Sequence, residues 1–191
     1  MNEVQVMDGW WWNALSAAGT LAAVLVALWF SVQSVRLNGR SEKDRSELAA
    51  AKMLSPLMTL ERKAAALYAH FSFEGEDFVD QHPNVLSEIQ ELEVMARSIS
   101  VEDLYPLLHL EGHAAKRSAR ALGLIQTFSD DAVAILLHPS WDPSRGRKIM
   151  HKRWAGMLAE VNDHLSIAVS VCAAAASTGA PRPMAEETRS P

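Results

Sequence analysis

Two histidines, His109 and His113, stand four residues apart with Glu111 between them. On a helix that spacing places both on one face, where they can share a metal. Protein zinc sites draw three or four ligands from Cys, His, Asp and Glu, and HLEGH supplies two histidines. It also departs from HExxH, in which Glu directly follows the first His, and Gly112 weakens a helix at this point. Surface or interface histidines are the favoured reading, and no metal is expected. The one cysteine, Cys172, lies in an apolar helical stripe and reads as a buried inert thiol rather than a nucleophile. A single cysteine forms no intramolecular disulfide, in keeping with a reducing cytoplasm. GxGxxG, Walker A, GxSxG and CxxC patterns are absent. The carboxylates are scattered over exposed helix faces, and their spacing singles out no pair for acid–base work. The sequence therefore predicts no enzyme and no cofactor.

The sharpest charge feature is basic. Arg145, Arg147, Lys148, Lys152 and Arg153, with His151 among them, fall at the start of the last helical span. Cations there face the positive end of the helix dipole, which is unfavourable. A compensating anion is expected. The acidic stretch 74–84, with Glu74, Glu76, Asp77 and Asp80, is the nearest intramolecular source. An anionic ligand or a partner's acidic patch is the other possibility. The net charge of -5 gives no positive field for gripping nucleic acid.

The elements that must carry these residues are dominated by one stretch, 10–35, which reads WWWNALSAAGTLAAVLVALWFSVQSV and holds no Asp, Glu, Lys or Arg. About 20 predominantly apolar residues are enough to cross a bilayer as a helix. Trp10, Trp11 and Trp12 stand at one end and Trp29 near the other. Indole rings favour the headgroup level, and a helix rises about 26 Å from Trp12 to Trp29, close to a hydrocarbon core. The flanks predict orientation. Glu3 and Asp8 precede the stretch without a Lys or Arg, while Arg36, Arg40, Lys43 and Arg45 follow it. Basic flanks stay cytoplasmic, so the N-terminus is expected outside and the remainder in the cytoplasm, at the cell inner membrane. An acidic n-region and a poor cleavage site at 31–34 predict an uncleaved anchor. Gly19, Ala23, Ala27 and Ser31 recur at four-residue steps, a small-residue face that lets two membrane helices approach closely.

Beyond the anchor the pattern is helical throughout. Leu57, Leu60, Ala64, Leu67 and Phe71 form one stripe, and Leu86, Ile89, Leu92, Met95 and Ile99 a second. Ser55-Pro56 predicts a kink or restart inside the first of these spans. A third span is expected over 101–128, opened by a Ser100/Asp103 capping box and bent at Pro106 and Gly112. Ser129-Asp130-Asp131 is read as the cap of a short extra helix. The last helix, 143–176, carries Trp154, Met157, Leu158, Val161, Leu165, Ala168 and Cys172. No stretch alternates at period two and no hairpin signal occurs.

The expected fold is all-α: a single N-terminal transmembrane helix followed by a cytoplasmic antiparallel bundle of about four helices. The expected divisions are a short extracytoplasmic N-terminus 1–9, the membrane helix 10–35, a juxtamembrane linker 36–48, the bundle 49–176 and a disordered tail 177–191. Three functions follow in order of support. The first is a membrane-anchored interaction or regulatory module, self-associating or bound to a partner protein. The second is an oligomerising membrane-perturbing effector of toxin, phage or defence type, controlled by its cytoplasmic domain. The third is an enzyme or metal protein using the bundle interior.

Overall fold

The computed structural model describes residues 4–72, 82–140 and 143–179, with side chains described over 15–72, 84–140 and 148–179. In order they form α1 (Val4–Ser72), α2 (His82–Arg97), α3 (Val101–Leu104), a 3-10 turn (Tyr105–His109), α4 (Ala114–Leu136) and α5 (Pro143–Gly179). Among the described residues there is no strand. The chain divides into two compact units, Met1–Glu42 and Lys43–Pro191, and α1 contributes to both.

α1 is helical from Val4 without interruption, so the stretches read as a short N-terminus and a juxtamembrane linker carry helix as well. It passes through Gly39, where glycine in a helix interior costs about 1 kcal/mol. It also passes through Pro56, with no restart at Ser55-Pro56. Met53, Leu57 and Leu60 are buried on either side of the proline, and their packing offsets the hydrogen bond that proline removes. From 15 to 35 α1 carries no charged side chain, and every described side chain from 15 to 42 is exposed. One long N-terminal helix is thus long and apolar enough to cross a membrane.

In the second unit burial becomes periodic. On α1 the buried positions are Ser46, Ala50, Met53, Leu57, Leu60, Ala64, Leu67 and Phe71, at alternating steps of four and three. That repeat averages 3.5 residues, the period of helices packed side by side with a slight left-handed twist. α2 follows it with Val85, Ile89, Leu92, Ala96 and, just beyond its end, Ile99. α5 follows it with His151, Trp154, Leu158, Val161, Leu165, Ala168 and Cys172. α2 is rotated slightly from expectation, because Leu86 and Met95 are half-buried while Val85 and Ala96 are inside. Neighbouring elements meet in opposite chain directions. Lys63 of α1 pairs with Glu91 of α2 at 2.6 Å, and Lys52, earlier on α1, pairs with Asp103 at the start of α3 at 2.9 Å. Arg120 and Asp131 of α4 pair with Glu160 and Arg153 of α5, at 3.0 and 3.2 Å.

The expected single span over 101–128 is three pieces. The Ser100/Asp103 capping box is present, with the Asp103 backbone donating to Ser100 Oγ and the Ser100 backbone donating to the Asp103 carboxylate. Proline at the start of the following 3-10 turn ends α3 after four residues. Gly112 and His113 then take positive φ, 82° and 60°, and reset the chain direction before α4. A Cβ on Gly112 would lie 2.8 Å from Val171 Cγ2, so close packing on α5 as well as its φ disfavours a side chain there. The short extra helix expected after Ser129 is absent. α4 runs through to Leu136 with Ser129 buried in its interior.

Candidate functional site

The first candidate surface is the exposed part of α1. Gly19, Ala23, Ala27 and Ser31 lie on one slowly winding helix face, all exposed, and a Cβ built at Gly19 would meet nothing within 4 Å. The polar side chains of this stretch are few. The Thr20 hydroxyl donates to the Ser16 carbonyl at 2.8 Å, closing one of them internally. Trp29 is exposed with its ring edge-on to Phe30 at 5.2 Å. The side chains of Trp10, Trp11 and Trp12, the other expected interface anchors, lie outside the described residues. Such a face can pack on a like helix in lipid, where close backbone approach replaces the hydrophobic driving force.

The second is a hollow on the second unit. Val101, Leu104, Tyr105 and Leu108 recur at helical spacing across α3 and the 3-10 turn, opposite Ala115, Lys116 and Ala119 of α4. They enclose about 130 Å³. A neighbouring hollow of about 220 Å³ shares Val101, Leu104 and Ala119 and continues toward Ala96, Arg97 and Ile99. Val101 and Tyr105 remain 65% and 62% exposed, more than their apolar bulk favours at a solvated surface. Sequence reasoning missed this patch, although its i, i+3, i+4, i+7 spacing was visible, because the same spacing reads equally as core.

The expected basic cluster is partly placed. The side chains of Arg145 and Arg147 and the acidic residues of 74–80 lie outside the described residues. Lys148 and Lys152 are exposed. Arg153 finds its anion on α4, pairing with Asp131 at 3.2 Å. The same carboxylate accepts a hydrogen bond from the Trp154 indole at 2.9 Å. One acidic side chain thus satisfies a cation and a buried donor. His151, next in this group, is buried against Phe71 at 5.0 Å, and Phe71 stacks edge-on with Trp154 and Phe128 at 5.3 and 6.0 Å. These four rings are a packed aromatic node closing one end of the core, where edge-to-face pairs add to the area they bury.

His109 and His113 do not share a helical face. His109 ends the 3-10 turn and His113 is the left-handed residue before α4, so the i, i+4 metal geometry is not formed. Among the described residues no group of three His, Cys, Asp or Glu side chains is placed to hold a metal. Cys172 is buried, and desolvation pushes its thiol up to about 11, leaving it protonated. Among the described residues, Asp103 has its carboxyl held down to about 2 by the Lys52 ammonium and then by the Ser100 hydroxyl and backbone.

No family model, no curated protein and no solved structure matches this chain.

Proposed function

We propose that this chain is a membrane-anchored helical interaction module without catalytic activity. The first part of α1 crosses the cell inner membrane with the N-terminus outside. The second unit sits in the cytoplasm as an up-down antiparallel bundle of four helices. The observation that carries this reading is the change of burial along α1. No described side chain is buried from 15 to 45, whereas from Ser46 every third or fourth one is. A helix stretch apolar all round, with no described side chain buried on it, suits lipid as its solvent. The 3.5-residue burial repeat and the oppositely directed pairs support the bundle. Basic residues after position 35 and none before it support the orientation. The Val101/Tyr105/Leu108 hollow is the surface offered to a partner protein, and the Gly19/Ala23/Ala27/Ser31 face supports self-association in the membrane. The mildly acidic charge favours a protein partner over nucleic acid, and no cofactor is needed.

The test is deletion of residues 1–40. The shortened chain is expected in the soluble fraction and inactive in its cellular role; full activity without the anchor would end this reading. A second reading, an oligomerising membrane-perturbing effector, is favoured by the open small-residue face alone. It predicts that inducing the full chain depolarises bacteria, and that replacing Gly19 and Ala23 with Leu prevents it. An unchanged membrane potential would dispose of it.

A further inference from the structure

Within the first unit, α1 carries an amphipathic hollow where its apolar part gives way to charge. Leu28, Trp29 and Val32 form its apolar side, and Gln33 and Arg36 close the polar end. Arg40 follows Arg36 one turn later, and because α1 is unbroken through Gly39 the two guanidinium groups share a face. Both are exposed, and neither forms an ion pair among the described residues. The one carboxylate that follows in this unit, Glu42, is rotated about 240° from Arg36 at 3.6 residues per turn. The face therefore holds, in order along the helix, an apolar trough, an aromatic ring, an amide and two cations without an ion pair among the described residues, with the Asp44 carboxylate one turn beyond Arg40. Trp29 to Arg40 rises about 16 Å, which spans the end of the hydrocarbon core and the headgroup layer.

We propose that this face binds an anionic phospholipid, resting on the membrane-spanning reading above. An acyl chain lies along Leu28, while Val32 and the Trp29 indole sit at the glycerol level, and the lipid phosphate lies between Arg36 and Arg40. Guanidinium groups suit phosphate because two N–H donors can reach two of its oxygens together. Gln33 supplies a donor and an acceptor for headgroup hydroxyls. Lys43 and Arg45 lie beyond this unit and are not required.

The experiment uses the full-length chain, reconstituted in lipid nanodiscs made from equal parts phosphatidylglycerol and phosphatidylcholine, then released and weighed by native mass spectrometry. The wild-type chain is expected to retain phosphatidylglycerol preferentially. Retention relative to phosphatidylcholine should fall about fivefold for each of R36Q and R40Q, the effect of about one charge at an anionic surface. R62Q, an equal loss of charge elsewhere, should change nothing. Equal retention of the two lipids by the wild type, or an equal loss in R62Q, would overturn the proposal. Flotation of the same protein with vesicles of phosphatidylcholine alone separates the two levels. A chain that floats without preferring phosphatidylglycerol refutes the lipid site and leaves the anchor standing, whereas a chain that does not float refutes both.

Discussion

Two stretches of one helix obey different rules. Between Leu15 and Val35 α1 shows large apolar side chains on every side, with Leu21, Leu25 and Trp29 all more than three-fifths exposed. Between Ser46 and Phe71 the same helix hides one narrow stripe and elsewhere presents small side chains mixed with polar ones, among them Lys52, Ser55, Thr59 and Arg62. Helix propensity is similar in both, since each is rich in Ala and Leu. The difference lies in what satisfies the apolar surface. In the later stretch α2, α4 and α5 do so, and a 3.5-residue repeat suffices because partners lie to one side. In the earlier stretch no described element covers it, and an apolar surface on all sides calls for an apolar solvent. Local sequence thus makes the helix, while the distribution of apolar residues around it decides which surface it presents.

The contrast can be broken from either side. Trp154→Ala removes the largest fully buried side chain and leaves Asp131 without its indole donor. It should destabilise the second unit by about 3–5 kcal/mol in chemical unfolding while membrane association is unchanged. Leu57→Ala should cost about 2–5 kcal/mol, whereas Leu25→Ala should leave unfolding within about 0.5 kcal/mol of the wild type. Conversely, Val24→Arg should weaken membrane insertion by about 2.5–3.5 kcal/mol, read as a shift into the soluble fraction, and leave the unfolding midpoint of the second unit alone.

Smaller effects sharpen the account of the second unit. Gly112→Ala must adopt positive φ and push Val171 aside, and a loss of about 1–3 kcal/mol is expected. Ser100→Ala removes the cap of α3 and should cost about 1 kcal/mol. Asp103 adds an acid signature. Its carboxyl is held down to about 2 in the folded chain against an ordinary 3.8, so its contribution is fully present above about pH 4 and is lost as pH falls toward 2. Asp103→Asn should flatten the stability-against-pH curve in that window and leave it parallel to the wild type near neutrality.

Much of this was legible in the sequence. The stripes on α1 and α5 are plain in the sequence, because Leu57, Leu60, Leu67, Trp154, Leu158 and Leu165 repeat at a period only a helix uses. The Ser100/Asp103 cap was legible because both partners lie within one turn. The break at 110–113 was not. His109, Gly112 and His113 fit a helical pattern locally, and the left-handed turn is fixed by the approach of Val171, 59 residues along the chain from Gly112. Asp131 reads locally as part of a cap for the same reason, since the Trp154 and Arg153 groups that it serves lie on α5. The candidate partner surface was hidden by an ambiguity of pattern: Val101, Tyr105 and Leu108 repeat like core residues yet face outward.

The most direct test of the central claim is cysteine labelling in intact bacteria with a membrane-impermeant maleimide, comparing N2C with S140C against the wild-type chain, whose Cys172 is buried. An anchor that places residues 43–179 in the cytoplasm predicts N2C labelled in intact cells, S140C labelled only after permeabilisation, and a chain that stays with the membrane through alkaline carbonate washing. Labelling of S140C in intact cells, or release of the chain by carbonate, would contradict it.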